Sequence, residues 1–378
     1  MKKIFIVLLT FILSLLFVGC KTPTEEATLK KFSAYSFEVF DTVSTITGYE
    51  KTEEEFNKVK TEIFSLLKEY HRLFDIYKKY DGIENLYTIN KVENGEKETK
   101  VDKKIIDMLS FSKEAYTLTK GNTNVLMGSV LSIWHDYREE GVDEPWNAKL
   151  PPMEDLEKAN EHTSIENLVI DKENLTVKIT DAKAKLDVGA IAKGYAVERV
   201  AEYLESLGKK GYLLNIGGNV RAIGVKGDGT PWLAGLEDPT GEKEFLDILQ
   251  IKDLSIVTSG SWQRYYVVYK CSSCDSDGFV IENGDMVCTS CKEKTVEPKE
   301  YHHIIDKDTL MPSTNLTAVS VVTKDSGLGD ALSTALFCMN VEEGLALVES
   351  LDGVEARWLT KEGETHYSTG FSQYIVKE

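Results

Sequence analysis

The sequence lacks an excess of positive charge and has only one long apolar run. Acidic residues outnumber basic ones 62 to 44, which gives a formal net charge of -18. A chain of this charge does not suit a nucleic-acid backbone, so no nucleic-acid partner is expected. Hydrophobic residues make up 42% of the 378 residues, with aromatics throughout, which excludes a disordered chain. We therefore expect a globular protein of one large domain or two ordinary ones.

The apolar run, Ile4–Val18, follows Lys2 and Lys3 and precedes Gly19-Cys20. It is shorter than the roughly 20 residues that a transmembrane helix needs, and its charge order is that of a secretory signal. A small residue before cysteine resembles a lipoprotein cleavage site. We therefore expect residues 1–19 to be a signal peptide, Cys20 to be lipidated and residues 20–35 to be a tether. The chain would be lipid-anchored to the membrane on its extracytoplasmic face; an uncleaved N-terminal anchor is the alternative.

The stretch Lys185–Val200 combines an acid, a lysine and several small residues in one strand-to-helix passage. A helix starting near Ile191 would direct free N–H groups and its positive dipole end at an anion such as a phosphate. Lys193 adds a positive charge, and Asp187 can accept a hydroxyl, an amine or a ring N–H. The alternative is that the small residues only allow close packing.

Three other segments place polar groups at strand ends. Leu213–Arg221 contains two adjacent glycines, and Ile256–Arg264 carries hydroxyls and an arginine. Tyr301–Pro312 contains His302 and His303, and imidazole is a ready proton acceptor near neutral pH. A tight bend in the sheet is the alternative for the first segment, and a packed strand histidine is the alternative for the last.

The segment Asp325–Asn340 reads as an amphipathic helix with a polar face. Asp330 and Thr334 are four residues apart and share that face, with Ser333 beside them. A carboxylate with hydroxyls suits Mg²⁺, which binds few protein ligands and keeps places for water and phosphate oxygens. The alternative is an acid near a helix start and a threonine bonded to its own helix.

These motifs together resemble one family. Asp187–Val200 is similar to the DxGxxAKGYA signature of the FAD:protein FMN transferases, the ApbE family of flavin-handling lipoproteins, and the resemblance runs with gaps from about Phe37 to the C-terminus. Ile256–Arg264 resembles the family's TSGxxxR turn, and Asp330–Thr334 resembles its DAxST helix. The resemblance implies an α+β fold of the ApbE/T-fold type, with mixed, largely antiparallel sheets and packed helices, over residues 36–378.

The resemblance also implies roles for residues at matching positions. His303 matches the HIID histidine, the implied catalytic base, and the Ala190 carbonyl would join Asp330, Ser333 and Thr334 around Mg²⁺. Relatives usually carry Asp where Asn124 stands, and Lys307 and Leu310 replace a proline and a glycine that relatives often have. The implied flavin-nucleotide contacts are Phe40, Tyr77, Asn122, Thr123, Asn124, Asp187, Lys193, Asn215, Gly217, Gly218, Ser259, Gly260, Arg264 and Ile304.

The activity implied by the resemblance is Mg²⁺-dependent transfer of FMN from FAD to a Thr or Ser hydroxyl of a target protein, with release of AMP. The acceptors implied are membrane-associated flavoprotein subunits of redox complexes. Two alternatives remain open: hydrolysis of FAD to FMN and AMP, and a non-catalytic flavin-binding lipoprotein for electron transfer.

Residues 268–298 contain four cysteines in two C-x2-C pairs, Cys271 with Cys274 and Cys288 with Cys291. Between the pairs, Asn283-Gly284 is a strong hairpin signal. The spacing is that of a zinc ribbon, although disulfides are the alternative outside the cytoplasm. Nothing in the family resemblance requires this segment, so we interpret it as an insert between two strands, Tyr265–Tyr269 and Tyr301–Ile305, that could pair.

Hydrophobic periodicity predicts the remaining elements. A first strand is expected at Phe37–Thr47, an extended loop at Asn122–Trp134, and surface positions for His135 and Asp136. Hairpins are expected at Leu168–Ile179 and around the turn Lys226–Gly229, joining Arg221–Val225 to Trp232–Leu236. Cys338 is expected to be a buried thiol. The predicted helices are Glu53–Tyr80, Lys103–Lys120, Pro151–Glu161, Ile191–Leu207 and Asp325–Asn340.

Overall fold

The computed structural model describes residues 28–91, 98–283, 285–294 and 296–377. The predicted signal peptide 1–19, the predicted lipidation site Cys20 and residues 20–27 of the predicted tether lie outside these ranges. Across the ranges that are described, no helix combines the length and the apolarity needed to cross a bilayer.

The helices that surround the site and the core follow the chain order. They are α1 (Glu53–Phe74), α2 (Leu86–Asn90), α3 (Lys103–Leu118), α4 (Gly128–Asp143), α5 (Met153–Asn160), α6 (Ala192–Ser206), α7 (Ser326–Cys338) and α8 (Val341–Glu349).

The strands are also numbered along the chain. They are β1 (Lys30–Ser36), β2 (Ser44–Glu50), β3 (Thr99–Lys100), β4 (Leu168–Asp171), β5 (Thr176–Ile179), β6 (Tyr212–Ile216), β7 (Asn219–Ile223), β8 (Trp232–Glu237), β9 (Phe245–Ile251), β10 (Ser255–Gly260), β11 (Tyr265–Cys271), β12 (Phe279–Glu282), β13 (Asp285–Cys288), β14 (Val296–His302), β15 (Leu316–Thr323), β16 (Glu355–Thr360) and β17 (Thr365–Tyr367).

One large sheet organises the fold, in the strand order β1-β2-β6-β7-β10-β15-β16-β17. Every neighbouring pair in it is antiparallel. The smaller sheets are β3-β5-β4, β8-β9, β11-β14 and β12-β13. The predicted α+β architecture with largely antiparallel sheets is therefore confirmed. Among the described residues, the one parallel bridge joins Met127 to Lys185.

Helices α6 and α7 pack on the centre of this sheet. Nearly every residue of α7 is buried, as expected for a helix covered on all sides, and β15 is buried on both faces. Helix α6 buries Val197, Val200 and Leu204 completely. Complete burial of three such side chains stabilises this layer by about 1.5–3 kcal/mol each. The two helices that carry Lys193 and Asp330 are thus fixed by the core.

The predicted first strand, Phe37–Thr47, is wrong in its first half. Phe40 and Asp41 have positive φ angles of 55° and 48°, so the chain turns there before β2 begins at Ser44. The apolar alternation runs on through this turn and hides it from the sequence. Strand β1 instead begins at Lys30, inside the predicted tether, and pairs with β2.

Two other predicted boundaries differ from the structure. The predicted helix Glu53–Tyr80 stops at Phe74, since the carboxylate of Asp75 accepts the N–H groups of Tyr77 and Lys78 and turns the chain. The predicted loop Asn122–Trp134 already becomes helix α4 at Gly128.

The predicted hairpin around Lys226–Gly229 is wrong. Strand β7 pairs with β6 and β10, whereas β8 pairs with β9. The β6–β7 hairpin turns instead at Gly217 and Gly218, whose φ angles are 53° and 89°. Two consecutive positive φ values favour a tight two-residue hairpin, which glycine adopts without steric cost.

The strands at the base of the cysteine insert pair as predicted, but the second strand is β14, Val296–His302, and not the predicted Tyr301–Ile305, because the ladder continues into the predicted insert. Strands β11 and β14 pair antiparallel, from Tyr265 opposite His302 to Cys271 opposite Val296. Strands β12 and β13 form the predicted hairpin, although Gly284 at its turn lies outside the described residues. The insert therefore leaves and re-enters the domain at neighbouring positions.

Candidate active site

The predicted site segments meet at one cavity of about 390 Å³, a volume typical of ligand pockets. Helices α4, α6 and α7 contribute to its walls, together with the ends of β6, β10 and β14. The predicted residues that line it are Tyr77, Asn122, Thr123, Asn124, Asp187, Ala190, Lys193, Gly217, Ser259, Gly260, Arg264, His303, Ile304, Asp330 and Thr334.

Four predicted site residues do not line the cavity but support it. Phe40 packs on the core, and its N–H donates to Nδ1 of His71 at 3.2 Å. Asn215 accepts the N–H of Gly218 at 3.2 Å and so braces the β6–β7 turn. The Ser333 hydroxyl lies 2.8 Å from the Ser259 hydroxyl and is fully buried. Gly218 itself lies outside the lining set.

A buried carboxylate, Asp330, meets the start of α6. Its Oδ2 accepts the N–H of Gly194 at 2.7 Å, and its Oδ1 lies 3.5 Å from Nζ of Lys193. The positive end of a helix favours an anion at this position. The sequence predicted a ligand phosphate at the start of α6. In the structure, the Asp330 carboxylate accepts the Gly194 N–H at this position. Lys193 also contacts the Asn219 side-chain oxygen.

Gly194 is required by the close approach of α6 and α7. A Cβ at this position would lie 2.3 Å from the Ser326 carbonyl oxygen and 2.5 Å from Cβ of Asp330. One turn further along α6, Glu198 pairs with Arg221 at 3.1 Å and accepts the Ser326 N–H at 2.8 Å. The glycine and the glutamate together fix the start of α7 against α6, and hence the position of Asp330.

The residues predicted to hold Mg²⁺ fit a hard cation by their chemistry. Asp330 is 5% exposed, and Thr334, one turn further along α7, lines the same cavity as Ala190. Within the described residues, one carboxylate oxygen of Asp330 contacts the Gly194 N–H and the other contacts Lys193, so each keeps a lone pair for a further partner. A carboxylate, a hydroxyl and a backbone carbonyl form the oxygen donor set that Mg²⁺ prefers.

The two adjacent histidines have different environments. His302 is buried; its Nε2 lies 2.8 Å from the Ser313 carbonyl oxygen, and its Nδ1 accepts the N–H of Ile304 at 3.2 Å. A carbonyl can only accept, so both ring nitrogens of His302 are occupied. His303 directs Nδ1 at the Arg264 carbonyl oxygen, 3.2 Å away, which leaves Nε2 as the unprotonated nitrogen. His303, and not His302, therefore offers a free lone pair at the cavity.

Burial in the cavity, more than the neighbouring charges, shifts several pKa values. Burial, and then the Arg264 charge, lower the pKa of His303 to about 3, so its ring is neutral at physiological pH. Burial raises the pKa of Asp187, although its Oδ1 accepts the Gly189 N–H at 2.9 Å. Burial and the Asp187 charge raise the pKa of Tyr77 to about 12. These groups can exchange hydrogen bonds with a polar ring system.

Comparisons with known proteins agree with this geometry. The model of the ApbE family matches residues 40–276 and 275–358. The chain belongs to the ApbE family. The FAD:protein FMN transferase of Vibrio cholerae (strain O395) is 28% identical over 342 residues, 89% of this chain and 88% of the relative. That of Klebsiella pneumoniae (strain 342) is 27% identical over 302 residues, 77% and 81% of the two chains.

Solved structures of ApbE proteins share the fold. The apbE protein of Thermotoga maritima superposes with a TM-score of 0.72 at 23% identity, covering 92% of this chain and 100% of that one. The flavin transferase ApbE of Vibrio cholerae gives a TM-score of 0.69 at 22% identity, covering 92% and 99%. The predicted family and fold are therefore confirmed.

The Asn122–Asn124 loop is held by hydrogen bonds to the backbone. Thr123 Oγ1 donates to the Ala331 carbonyl at 2.7 Å, which ties the loop to α7. The Asn124 side chain donates to the Thr163 carbonyl at 2.8 Å and accepts the Leu126 N–H at 2.9 Å. An asparagine satisfies both bonds, whereas a carboxylate could not donate.

Several cavity residues were not identified from the sequence. Asp41 lies in the missed turn after β1 and Thr42 follows it, whereas His135 and Arg138 line the cavity from the missed helix α4. His135, predicted to be a surface residue, lies 5.1 Å from the Tyr77 ring by ring centroids. A spacing of three residues on a helix gives His135 and Arg138 one face, so a correct helix assignment would have found both.

A second cavity among the described residues, of about 610 Å³, is lined largely by charged side chains of α1 and of the segments between α1 and α3, and it contains none of the predicted site residues. Its size alone therefore does not indicate a site.

Proposed function

We propose that this ApbE-family chain transfers FMN from FAD to a Thr or Ser hydroxyl of a target protein and releases AMP. One observation carries the proposal: His303, with a free Nε2, shares a single cavity with the oxygen-donor wall of Asp330, Thr334 and Ala190. The names of the Vibrio and Klebsiella relatives support the same reaction.

The reaction is a substitution at the phosphorus atom of the FMN half of FAD. The acceptor oxygen forms a bond to that phosphorus, and the bond from phosphorus to the bridging oxygen breaks. AMP leaves with the bridging oxygen. His303 Nε2 accepts the hydroxyl proton, which then passes to solvent, while the Arg264 carbonyl holds the ring in the required tautomer.

The cavity needs a further cation for a diphosphate substrate, which supports the Mg²⁺ proposal. Its three cationic side chains are matched by three carboxylates, namely Arg138, Lys193 and Arg264 against Asp41, Asp187 and Asp330. Asp330 and Thr334, with the Ala190 carbonyl, would hold Mg²⁺. When bound, the ion would neutralise the diphosphate and stabilise the charge that develops on AMP.

Other residues that line the same cavity suit the flavin and nucleotide rings. Tyr77 and His135 form an aromatic pair there, and the Asp187 carboxyl lies nearby as a hydrogen-bonding group. Tyr77 is the aromatic side chain that the family resemblance placed at the flavin. We propose that these three residues bind the flavin portion of FAD.

Hydrolysis of FAD is the competing reaction, because water in place of the acceptor hydroxyl would use the same groups. The test is to incubate the purified protein with FAD and Mg²⁺, with and without a candidate acceptor, and to quantify AMP, free FMN and protein-bound flavin. Transferase function predicts AMP release that depends on the acceptor. Equal AMP and free FMN without acceptor would indicate a hydrolase, and no AMP in either sample would indicate a flavin carrier.

We also propose an extracytoplasmic, lipid-anchored location with membrane-associated flavoprotein subunits of redox complexes as acceptors. The signal-like run before Cys20 supports this proposal. Cys20→Ala in the full-length chain should move the protein from the membrane fraction to the soluble fraction. Unchanged membrane association would contradict anchoring through Cys20.

A further inference from the structure

The four cysteines of the insert lie away from the cavity, and their sulfur atoms form a compact cluster. Sγ of Cys271 and Cys291 are 3.4 Å apart, and Sγ of Cys274 and Cys288 are 3.6 Å apart. All four sulfur atoms lie within 4.8 Å of one another. Four ligands bonded at about 2.3 Å to one tetrahedral ion would be about 3.8 Å apart, so the cluster has the size of a single metal site.

The two C-x2-C pairs adopt the same local backbone, although their sequences differ. The N–H groups of Asp275 and Lys292, each following a second cysteine, donate to the carbonyls of Cys271 and Cys288 at 2.7 and 3.0 Å. Asp275 and Lys292 also share positive φ angles, 55° and 66°. A conformation that is unfavourable for non-glycine residues is thus repeated at matched positions of both pairs.

Backbone N–H groups also point at the sulfur atoms in a repeated pattern. The sulfur of Cys271 accepts N–H groups two and three residues further on, from Ser273 and Cys274. The sulfur of Cys288 accepts the equivalent groups, from Ser290 and Cys291. Such hydrogen bonds orient thiolate ligands and stabilise their negative charge in a metal site.

We propose that Cys271, Cys274, Cys288 and Cys291 bind one Zn²⁺ ion in a closed, tetrahedral site. Four protein ligands leave no open position, so the ion is structural and does not take part in the flavin reaction. Four thiolates also suit iron. We favour zinc over iron because the proposed FMN transfer changes no oxidation state, so a redox-inactive ion is sufficient for a structural site.

The proposal explains how the insert folds without a core of its own. In the β12–β13 hairpin, Val287 and Cys288 are buried, whereas Ile281 is 70% exposed. An isolated two-stranded hairpin is at best marginally stable in water. Metal binding supplies folding free energy in small domains of this kind, so the Zn²⁺ ion would hold the hairpin to the end of the β11–β14 ladder.

The first experiment measures the metal content of the full-length chain, purified without chelators. We expect about one zinc per chain. Cys274→Ser and Cys291→Ser should each lower the zinc content severely. Cys338→Ser is the matched control, because Cys338 lies outside the cluster and its Sγ contacts the Ile305 carbonyl oxygen at 3.7 Å; it should retain zinc.

A second measurement remains decisive even if a cysteine variant fails to fold. Wild-type protein stripped of metal under reducing conditions is titrated with Co²⁺ while absorption is recorded. Tetrahedral thiolate coordination predicts intense sulfur-to-cobalt bands that saturate at one equivalent and disappear on addition of Zn²⁺. Two disulfides without metal in the purified protein, iron in place of zinc, or no saturable cobalt spectrum would each overturn the proposal.

Discussion

The wall formed by α6 and α7 and the cysteine insert are held in place by different forces. At the wall, a glycine contact, a buried ion pair and a hydrophobic core set the position of Asp330. In the insert, few side chains are buried, and the four cysteine sulfur atoms lie within 4.8 Å of one another. The comparison suggests that the wall determines chemistry on FAD, whereas the insert can change without altering it. The predictions below test this division.

The largest effect is expected from removing the proposed metal ligand. Asp330→Ala should lower FMN transfer by at least about 10³-fold, because a metal ion can supply several kcal/mol of charge stabilisation and each 1.36 kcal/mol is a factor of ten. Asp330→Asn keeps an oxygen for the Gly194 N–H and should fold normally while losing most Mg²⁺ dependence. Steady-state rates across a Mg²⁺ titration check both variants. Wild-type turnover of Asp330→Ala at limiting Mg²⁺ would show that the assignment is wrong.

His303→Ala should lower the transfer rate by about 10²–10⁴-fold while FAD still binds, because a positioned base contributes that much to the rate. His302→Ala is the contrasting variant. It leaves the Ser313 carbonyl and the Ile304 N–H without partners, at a cost of about 1–3 kcal/mol each. It should therefore lower stability more than the rate per folded molecule. Rapid-quench rates and calorimetric FAD affinities separate these outcomes; lost affinity with retained turnover would make His303 a binding residue.

Breaking the ion pair behind the wall should mainly affect stability. Glu198→Ala removes the buried partner of Arg221 and the acceptor of the Ser326 N–H, and it leaves Arg221 paired with the more exposed Glu205, 3.0 Å away. Losing a buried partner typically costs about 3–5 kcal/mol, and the remaining Glu205 contact places this variant at the lower end of that range. Glu202→Ala on the same helix is the control, because its ion pair with Arg199 is half-exposed and should contribute about 1 kcal/mol or less. Urea unfolding of both variants measures the difference. Equal losses would show that the buried pair does not fix α7 against α6.

The pH dependence should separate His303 from an ordinary histidine. Because its pKa in the folded protein, about 3, lies below the ordinary 6.5, the unfolded chain binds more protons between these values. The unfolded chain therefore gains a proton that the folded protein does not, and the free energy of unfolding decreases as pH falls from about 6.5 towards 3. His303→Gln should become more stable relative to wild type over this range. A stability difference between the two proteins that does not change with pH would contradict the burial of a neutral ring.

The smallest effect on FAD chemistry is expected from the insert. Replacing residues 271–291 with a short glycine-serine link should leave FAD affinity and Mg²⁺-dependent cleavage unchanged, because β11 and β14 already pair at the base of the insert. Any loss should fall on transfer to the protein acceptor, since His303 directly follows β14. Affinity and AMP release measured on the shortened chain check this prediction. Failure to bind FAD would place the insert within the functional core.

The sequence motifs predicted the site better than they predicted the elements around it. Motifs such as Asp187–Lys193 and Asp330–Thr334 depend on spacing within a short segment, so they can be identified without knowing the fold. The residues singled out in these two motifs, Asp187, Lys193, Asp330 and Thr334, line the cavity. Asp41 was missed because the turn at Phe40 interrupts an apolar alternation that sequence reading extends. Arg138 was missed because α4 begins in a segment of small residues. The pairing of β7 with β10 depends on contacts distant in sequence, and the turn signal at Lys226–Gly229 was misleading.

The most direct test of the proposed function is the mass of an acceptor protein after incubation with FAD, Mg²⁺ and this chain. Transfer predicts that the acceptor gains the mass of one FMN less one water, that the modified residue is a threonine or serine, and that one AMP appears for each acceptor modified. His303→Ala run in parallel should give the same product far more slowly. An acceptor of unchanged mass, with free FMN and AMP in equal amounts, would contradict the account and indicate FAD hydrolysis.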